Sequence, residues 1–141
     1  MVIIAAVDRS KEAKHVVAEA AALAEAFDVP LHIAHVISRT EFTELGKEKT
    51  RDGRSIDLDE IRETAADFAG AAAEDIAVPY ETVGLIGKAA EEINKYADRQ
   101  NAKYVVIGGR KRSPTGKALF GSVSQQILLN SSSPVVSIIQ E

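Results

Sequence analysis

The sequence predicts an α/β fold, an open five-stranded parallel sheet flanked by helices. Three observations carry this reading. Short apolar runs rich in Val and Ile recur along the chain, and they are mostly continuous rather than alternating, as strands covered on both faces are. Stretches with helical spacing separate them, in the order β-α-β-α-β-α-β-α-β, which calls for crossover helices on both sides of a sheet. A length of 141 residues with 45% apolar composition suits one domain over 1–141 with a single core.

The elements follow in order. "VIIAAV" (2–7) is the first strand. Ser10 reads as the N-cap of a helix whose Val16, Ala20, Leu23 and Phe27 recur on one face until "FDVP" breaks it. "LHIAHVI" (31–37) is the second strand. Residues 38–55 are polar and lack clear periodicity, which predicts a long loop, either a functional lid or a flexible insertion. Near "DLDE" the next helix begins, with Asp57 and Glu60 spaced as a capping box and Leu58, Ile61, Ala65, Phe68 and Ala72 as its apolar stripe. "AVPYETV" (77–83) is a weaker strand whose proline suits a sheet edge. A helix over 88–99 places Ala89, Ile93 and Tyr96 on one face, and "YVVIGG" (104–109) is the fourth strand. The last helix starts near Ser122, carries Val123, Ile127 and Leu128, and stops at "NSSSP" before the final strand "VVSII" (135–139).

Several function classes drop out. With no cysteine, thiolate metal sites and cysteine nucleophiles are excluded. No apolar run reaches the roughly 18 residues of a membrane span, so a soluble, cytoplasmic protein is expected. A net charge of −4 gives no reason to expect nucleic-acid or membrane partners. His32 and His35 are three apart on a strand and point to opposite faces, so they read as structural residues rather than as a metal pair. His15 has no identifiable partner, and Glu91-Glu92 reads as a solvated helix face. "GLIGKAA" and "TGKAL" are not P-loops, because Ala follows each Gly-Lys where Ser or Thr is required. No G-x-S-x-G elbow occurs, so a hydrolase lacks its nucleophile and base, and no catalytic or metal-binding residue is expected.

Ligands of open parallel sheets bind beyond the carboxyl ends of strands at a topological switch point. With the flavodoxin-like or Rossmann-like strand order 3-2-1-4-5, strands 1 and 4 are neighbours, and "VDRS" (7–10) and "GGRKRS" (108–113) flank one crevice. Gly108 and Gly109 permit close approach of a ligand, while Arg110, Lys111 and Arg112 supply cationic donors. Gly121-Ser122 opens a helix whose free N–H groups favour an anion, and Ser122 and Ser124 add hydroxyls. The same residues also suit a plain turn, an N-cap and a solvated cationic surface, with Asp8 capping the first helix or pairing with Arg110.

"IIAAVDRS", "LHIAHVI" and "VVIGGRKRSPTGKALFGSVSQQILLNSSSPVVSI" together resemble the signature segments of the universal stress protein family over essentially the whole chain. That family's nucleotide signature is G-x-x-G, nine residues, then Gly followed by Ser or Thr. Gly108 and the Gly121-Ser122 pair match it at the right spacing, and Lys111 replaces the second glycine. An ammonium at that point is consistent with a phosphate path.

The resemblance implies a single universal stress protein domain that holds ATP. Asp8 and Val36 lie around the adenine and ribose, and Gly108, Gly121, Ser122 and Ser124 lie along the phosphates. Val7, Arg110, Lys111 and Val123 complete the candidate set. Mg²⁺ would arrive with the nucleotide, held mainly by its phosphate oxygens. The implied function is an ATP-binding stress-response or regulatory protein with at most slow hydrolysis, in which the nucleotide orders the loop at 38–55 or that at 110–120. The alternative is a nucleotide-free interaction module of the same family. In both, the resemblance implies a homodimer through the final strand, whose apolar run would lie at a sheet edge.

Overall fold

The structure, a computed structural model, describes residues 1–51, 53, 57–109 and 120–139. Its elements are β1 (Val2–Ala6), α1 (Ala13–Phe27), β2 (Leu31–Ile37), α2 (Arg39–Arg51), α3 (Leu58–Gly70), β3 (Tyr80–Ile86), α4 (Ala89–Gln100), β4 (Ala102–Gly109), α5 (Ser122–Asn130) and β5 (Val135–Ile139). The strands form one sheet in the order β3-β2-β1-β4-β5, and every pairing is parallel. This is the expected topology, with strands added on one side of β1 up to β3 and on the other side from β4, so that a crevice opens at the carboxyl ends of β1 and β4.

The core lies in two layers, one on each side of the sheet. On one face, Ile3, Ala5, Val7, Leu31, Ile33 and Val106 pack against Val16, Val17 and Ala20 of α1 and Ala69 of α3. On the other, Ile4, Ala34, Val36, Val105 and Ile107 meet Ala90, Ile93 and Tyr96 of α4 and Ile127 of α5. Residues 31–37 are buried throughout, which is why that strand reads as one unbroken apolar run.

The segment at 38–55 departs from expectation, because 39–51 form α2 rather than a loop. Ser38 Oγ accepts the Glu41 N–H at 3.2 Å and caps the helix. Phe42 and Leu45 then pack against Ile37, Ile61, Ala65, Phe68 and Ile86. Two apolar residues one turn apart are enough to anchor this helix, although they are too few to give its sequence a visible period.

Smaller corrections have local causes. α1 begins at Ala13, not after Ser10, because Ser10 is held in a turn by Asp8 and no side chain caps the helix. At its other end Asp28 takes up the left-handed conformation, φ 53°, and closes the helix with bonds to Ala24 and Glu25. β3 starts after Pro79 and runs on through Gly84 to Ile86, later than the expected 77–83. Gly84 is needed there because a Cβ would overlap the Arg62 carbonyl oxygen and lie 2.7 Å from Ala66 N, both on the α3 backbone. Leu58, Phe27, Val123 and Leu128, expected on apolar faces, are exposed. Asp57 does cap α3, its carboxylate accepting the Asp59 N–H at 2.9 Å.

Candidate functional site

The crevice is assembled by three strand ends. β1 delivers Val7 and Asp8, and the Val7 N–H donates to the Ala34 carbonyl of β2 at 2.9 Å, so β1 and β2 stay joined to the rim. β4 brings Gly108 to the same end of the sheet, in parallel register with β1 through Ile3↔Tyr104 to Ala5↔Val106.

Asp8 is exposed, and its Oδ1 accepts both the Ser10 N–H at 2.9 Å and the Ser10 hydroxyl at 2.5 Å. This two-residue turn fixes the direction of the carboxylate. Val7 and Val36, both nearly buried, belong to opposite layers, Val7 packing with α1 and Val36 with α4. Their side chains therefore do not form one wall. Ala6, which sits on the Val36 side of the sheet and is half-buried, takes that place. Strict alternation from Val36 through the paired strand was the signal that points to it.

Across the crevice, Gly121 is the N-cap of α5, with φ −69° and ψ 166°, and no side-chain cap bonds to the helix end among the described residues. Ser122 and Val123 of the first turn are exposed. Ser124 is half-buried, and its hydroxyl donates to the Gly108 carbonyl at 2.8 Å. That bond brings the open amino end of α5 against the end of β4, so the two halves of the glycine motif meet in space although 12 residues separate Gly108 from Gly121 in sequence. A helix start with no side-chain cap leaves its first N–H groups for an anion. Arg110 and Lys111 lie outside the described residues.

Residues 1–138 match the model of the universal stress protein family. The chain belongs to the universal stress protein family. This universal stress protein is 41% identical over 66 residues to a family member from Mycolicibacterium smegmatis, an alignment that spans 46% of this chain and 51% of the relative, about half of that protein's length. Its fold is similar to that of the universal stress protein from Archaeoglobus fulgidus, with a TM-score of 0.67, 32% identity and 98% coverage of both chains. A second Archaeoglobus fulgidus structure, of the family member in complex with dAMP, superposes with a TM-score of 0.60 at 23% identity, covering 98% of this chain and 97% of that one.

The two histidines of the universal stress protein's β2 are structural, as their spacing suggests. His32 Nδ1 lies 2.6 Å from the Tyr96 hydroxyl, and its Nε2 lies 3.4 Å from Glu81. Burial and the nearby Glu81 carboxylate push the Tyr96 phenol above its ordinary value, with Arg99 opposing them. A neutral phenol that donates to Nδ1 leaves the ring proton on Nε2, facing Glu81. His35 lies on the other face, its Nδ1 2.9 Å from the Val7 carbonyl and its ring edge-on to Phe68. Among the described residues no group of three or more His, Cys, Asp or Glu is placed to hold a metal ion. No described helix is long and apolar enough to cross a membrane.

A separate open depression of about 430 Å³ lies beside the crevice. It is lined by the turn from Asp8 to Lys11 and by α3 around Phe68, over which the Arg9 guanidinium stacks at 4.0 Å. Of the candidate residues it includes Asp8 alone.

Proposed function

We propose that this protein is an adenine-nucleotide-binding regulatory protein of the stress response, holding ATP in the crevice between β1 and β4, with at most slow hydrolysis. The observation that carries the reading is the bond from Ser124 to Gly108, which sets the uncapped start of α5 beside the glycine at the end of β4. Such a corner presents main-chain N–H groups at close range to a phosphate. Asp8, held by Ser10, is an acceptor suited to ribose hydroxyls. Ala6 and Val36 supply apolar surface for a base. The dAMP complex of the Archaeoglobus fulgidus relative supports the same ligand class. Arg110 and Lys111 follow Gly109 directly in sequence and bring two cations to the motif, and a magnesium ion would be held mainly by the phosphates. The carboxylate at the crevice, Asp8, already accepts two bonds from Ser10, which disfavours it as a general base and supports slow hydrolysis at most.

The test is thermal unfolding with millimolar Mg-ATP, AMP or GTP. A ligand at about 100 times its dissociation constant adds roughly 2.7 kcal/mol and raises the midpoint by several degrees. Gly121→Val should abolish that rise while the variant still folds, because φ −69° suits any residue and the new side chain stands where the phosphates pass. An equal rise in the variant would count against the site.

A second reading, a dimeric interaction module without nucleotide, is favoured by a different observation. β5 is an outer strand of the sheet with all five residues only half-buried, and Leu129 of the preceding helix is 72% exposed. No thermal rise with any nucleotide would favour this reading. A homodimer through β5 belongs to both.

A further inference from the structure

We propose that His35 and Glu41 form a proton-operated clasp that fastens α2 to the end of β1. A neutral imidazole has one ring proton. His35 faces two acceptors with it, the Val7 carbonyl 2.9 Å from Nδ1 and the Glu41 carboxylate 3.8 Å from Nε2. The carbonyl can only accept, and it is the closer, so Nδ1 carries the proton and the Nε2 lone pair is left facing a carboxylate oxygen. His35 Nε2 and Glu41 Oε2 are both buried, and neither has a hydrogen-bond partner among the described residues. Two acceptors face one another 3.8 Å apart.

A second proton on the ring resolves the conflict. Nε2 becomes a donor, the repulsive pair becomes a charge-assisted one, and a small movement of the Glu41 side chain closes the remaining distance. The His35 side chain is 6% exposed and that of Glu41 is 32% exposed, so water screens the pair only in part. Among the described residues, Arg9 of the β1–α1 turn stacks on Phe68 of α3, which also meets the His35 ring, and its charge opposes protonation, while the exposed Asp8 carboxylate beside it favours protonation. From β3 the residue paired with His35 is Gly84, which has no side chain. Glu41 lies 3.8 Å from Nε2, whereas Arg9 is exposed and its charge is screened by solvent, so the carboxylate dominates.

The consequence falls on α2, whose apolar hold on the domain rests on Phe42 and Leu45. Docking of this helix should tighten when the ring takes up its second proton. Because Val7 immediately precedes Asp8, the clasp links proton uptake to the rim of the crevice.

The experiment is amide hydrogen exchange by NMR over residues 39–47, corrected for intrinsic rates, at about pH 8 and about pH 5.5, either side of the ordinary imidazole range. Protection should rise on the order of five-fold at the lower pH, the scale of a charge-assisted hydrogen bond discounted for the exposure of Glu41. In Glu41→Gln the rise should largely vanish, because a side-chain amide donates to the unprotonated ring and, turned over, accepts from the imidazolium, so it hydrogen-bonds both forms. Ring ¹⁵N shifts give an independent reading that a packing role would not move. At about pH 8 His35 should be the Nδ1–H tautomer, and at about pH 5.5 both nitrogens should be protonated. An Nε2–H tautomer at the higher pH, no rise in the native protein, or an equal rise in Glu41→Gln would each overturn the proposal.

Discussion

The Ser124 hydroxyl donates to the Gly108 carbonyl at 2.8 Å, and this single bond joins the start of α5 to the end of β4. Removing it in Ser124→Ala should cost about 1 kcal/mol and lower the melting temperature by about 3 °C. Nucleotide affinity, measured by calorimetry, should fall with it. Ser122→Ala is the contrast, since Ser122 is exposed on the first turn and its loss should leave the melting temperature unchanged while weakening the ligand alone.

Gly84 marks the closest approach of α3 to the sheet. A methyl group there meets the α3 backbone at Arg62 and Ala66 rather than a flexible side chain, and it also meets the Ala65 Cβ at 2.8 Å. Gly84→Ala should therefore destabilise by about 2 to 3 kcal/mol through overpacking, read as a lower urea midpoint with an unchanged m-value.

Tyr96 couples stability to alkaline pH. Its phenol is raised from 10.0, first by burial and then by Glu81, so the unfolded chain loses this proton at lower pH than the folded one. Stability is intact below about pH 10 and falls as pH climbs through the raised folded value. Tyr96→Phe should remove that part of the alkaline decline and cost about 1 kcal/mol at neutral pH, because it strips the hydroxyl from His32 at 2.6 Å. Denaturant melts of both proteins between about pH 7 and about pH 11 check the two effects together.

β5 has one parallel neighbour, β4, and its other edge is unpaired among the described residues. With a monomer of 15.1 kDa, sedimentation equilibrium at micromolar concentration should return about twice that mass. A monomeric mass would remove the dimer from both functional readings.

Much of the architecture was legible because continuous apolar strands and period-3.6 stripes are local consequences of burial. β2 is the clearest case, buried from Leu31 to Ile37 and apolar almost throughout. The helix at 39–51 was not read, although Ser38 and Glu41 carry the S-x-x-E spacing of a capping box. With Phe42 and Leu45 as its anchors, its stability comes from the pocket formed by Ile37, Ile61, Ala65 and Ile86, which no window of sequence contains. Leu58 and Leu128 erred in the opposite direction, since a residue can fall on the apolar stripe of its helix and still lie beyond the edge of the sheet that would cover it.

The sequence by itself determined the fold class and the glycine-bearing segments of the candidate site, because each depends on residue type and short spacing, whereas the strand order that sets Asp8 at the switch point had to be assumed until the sheet was seen. Only the tertiary structure decided that Val7 and Val36 lie on opposite sides of the sheet, that Ser124 turns inward to Gly108, and that His35 meets Glu41 across the end of β2. Those relationships join residues on different elements. Their geometry follows from strand register and helix docking, and these are set by the packing of the whole core rather than by any neighbouring residue.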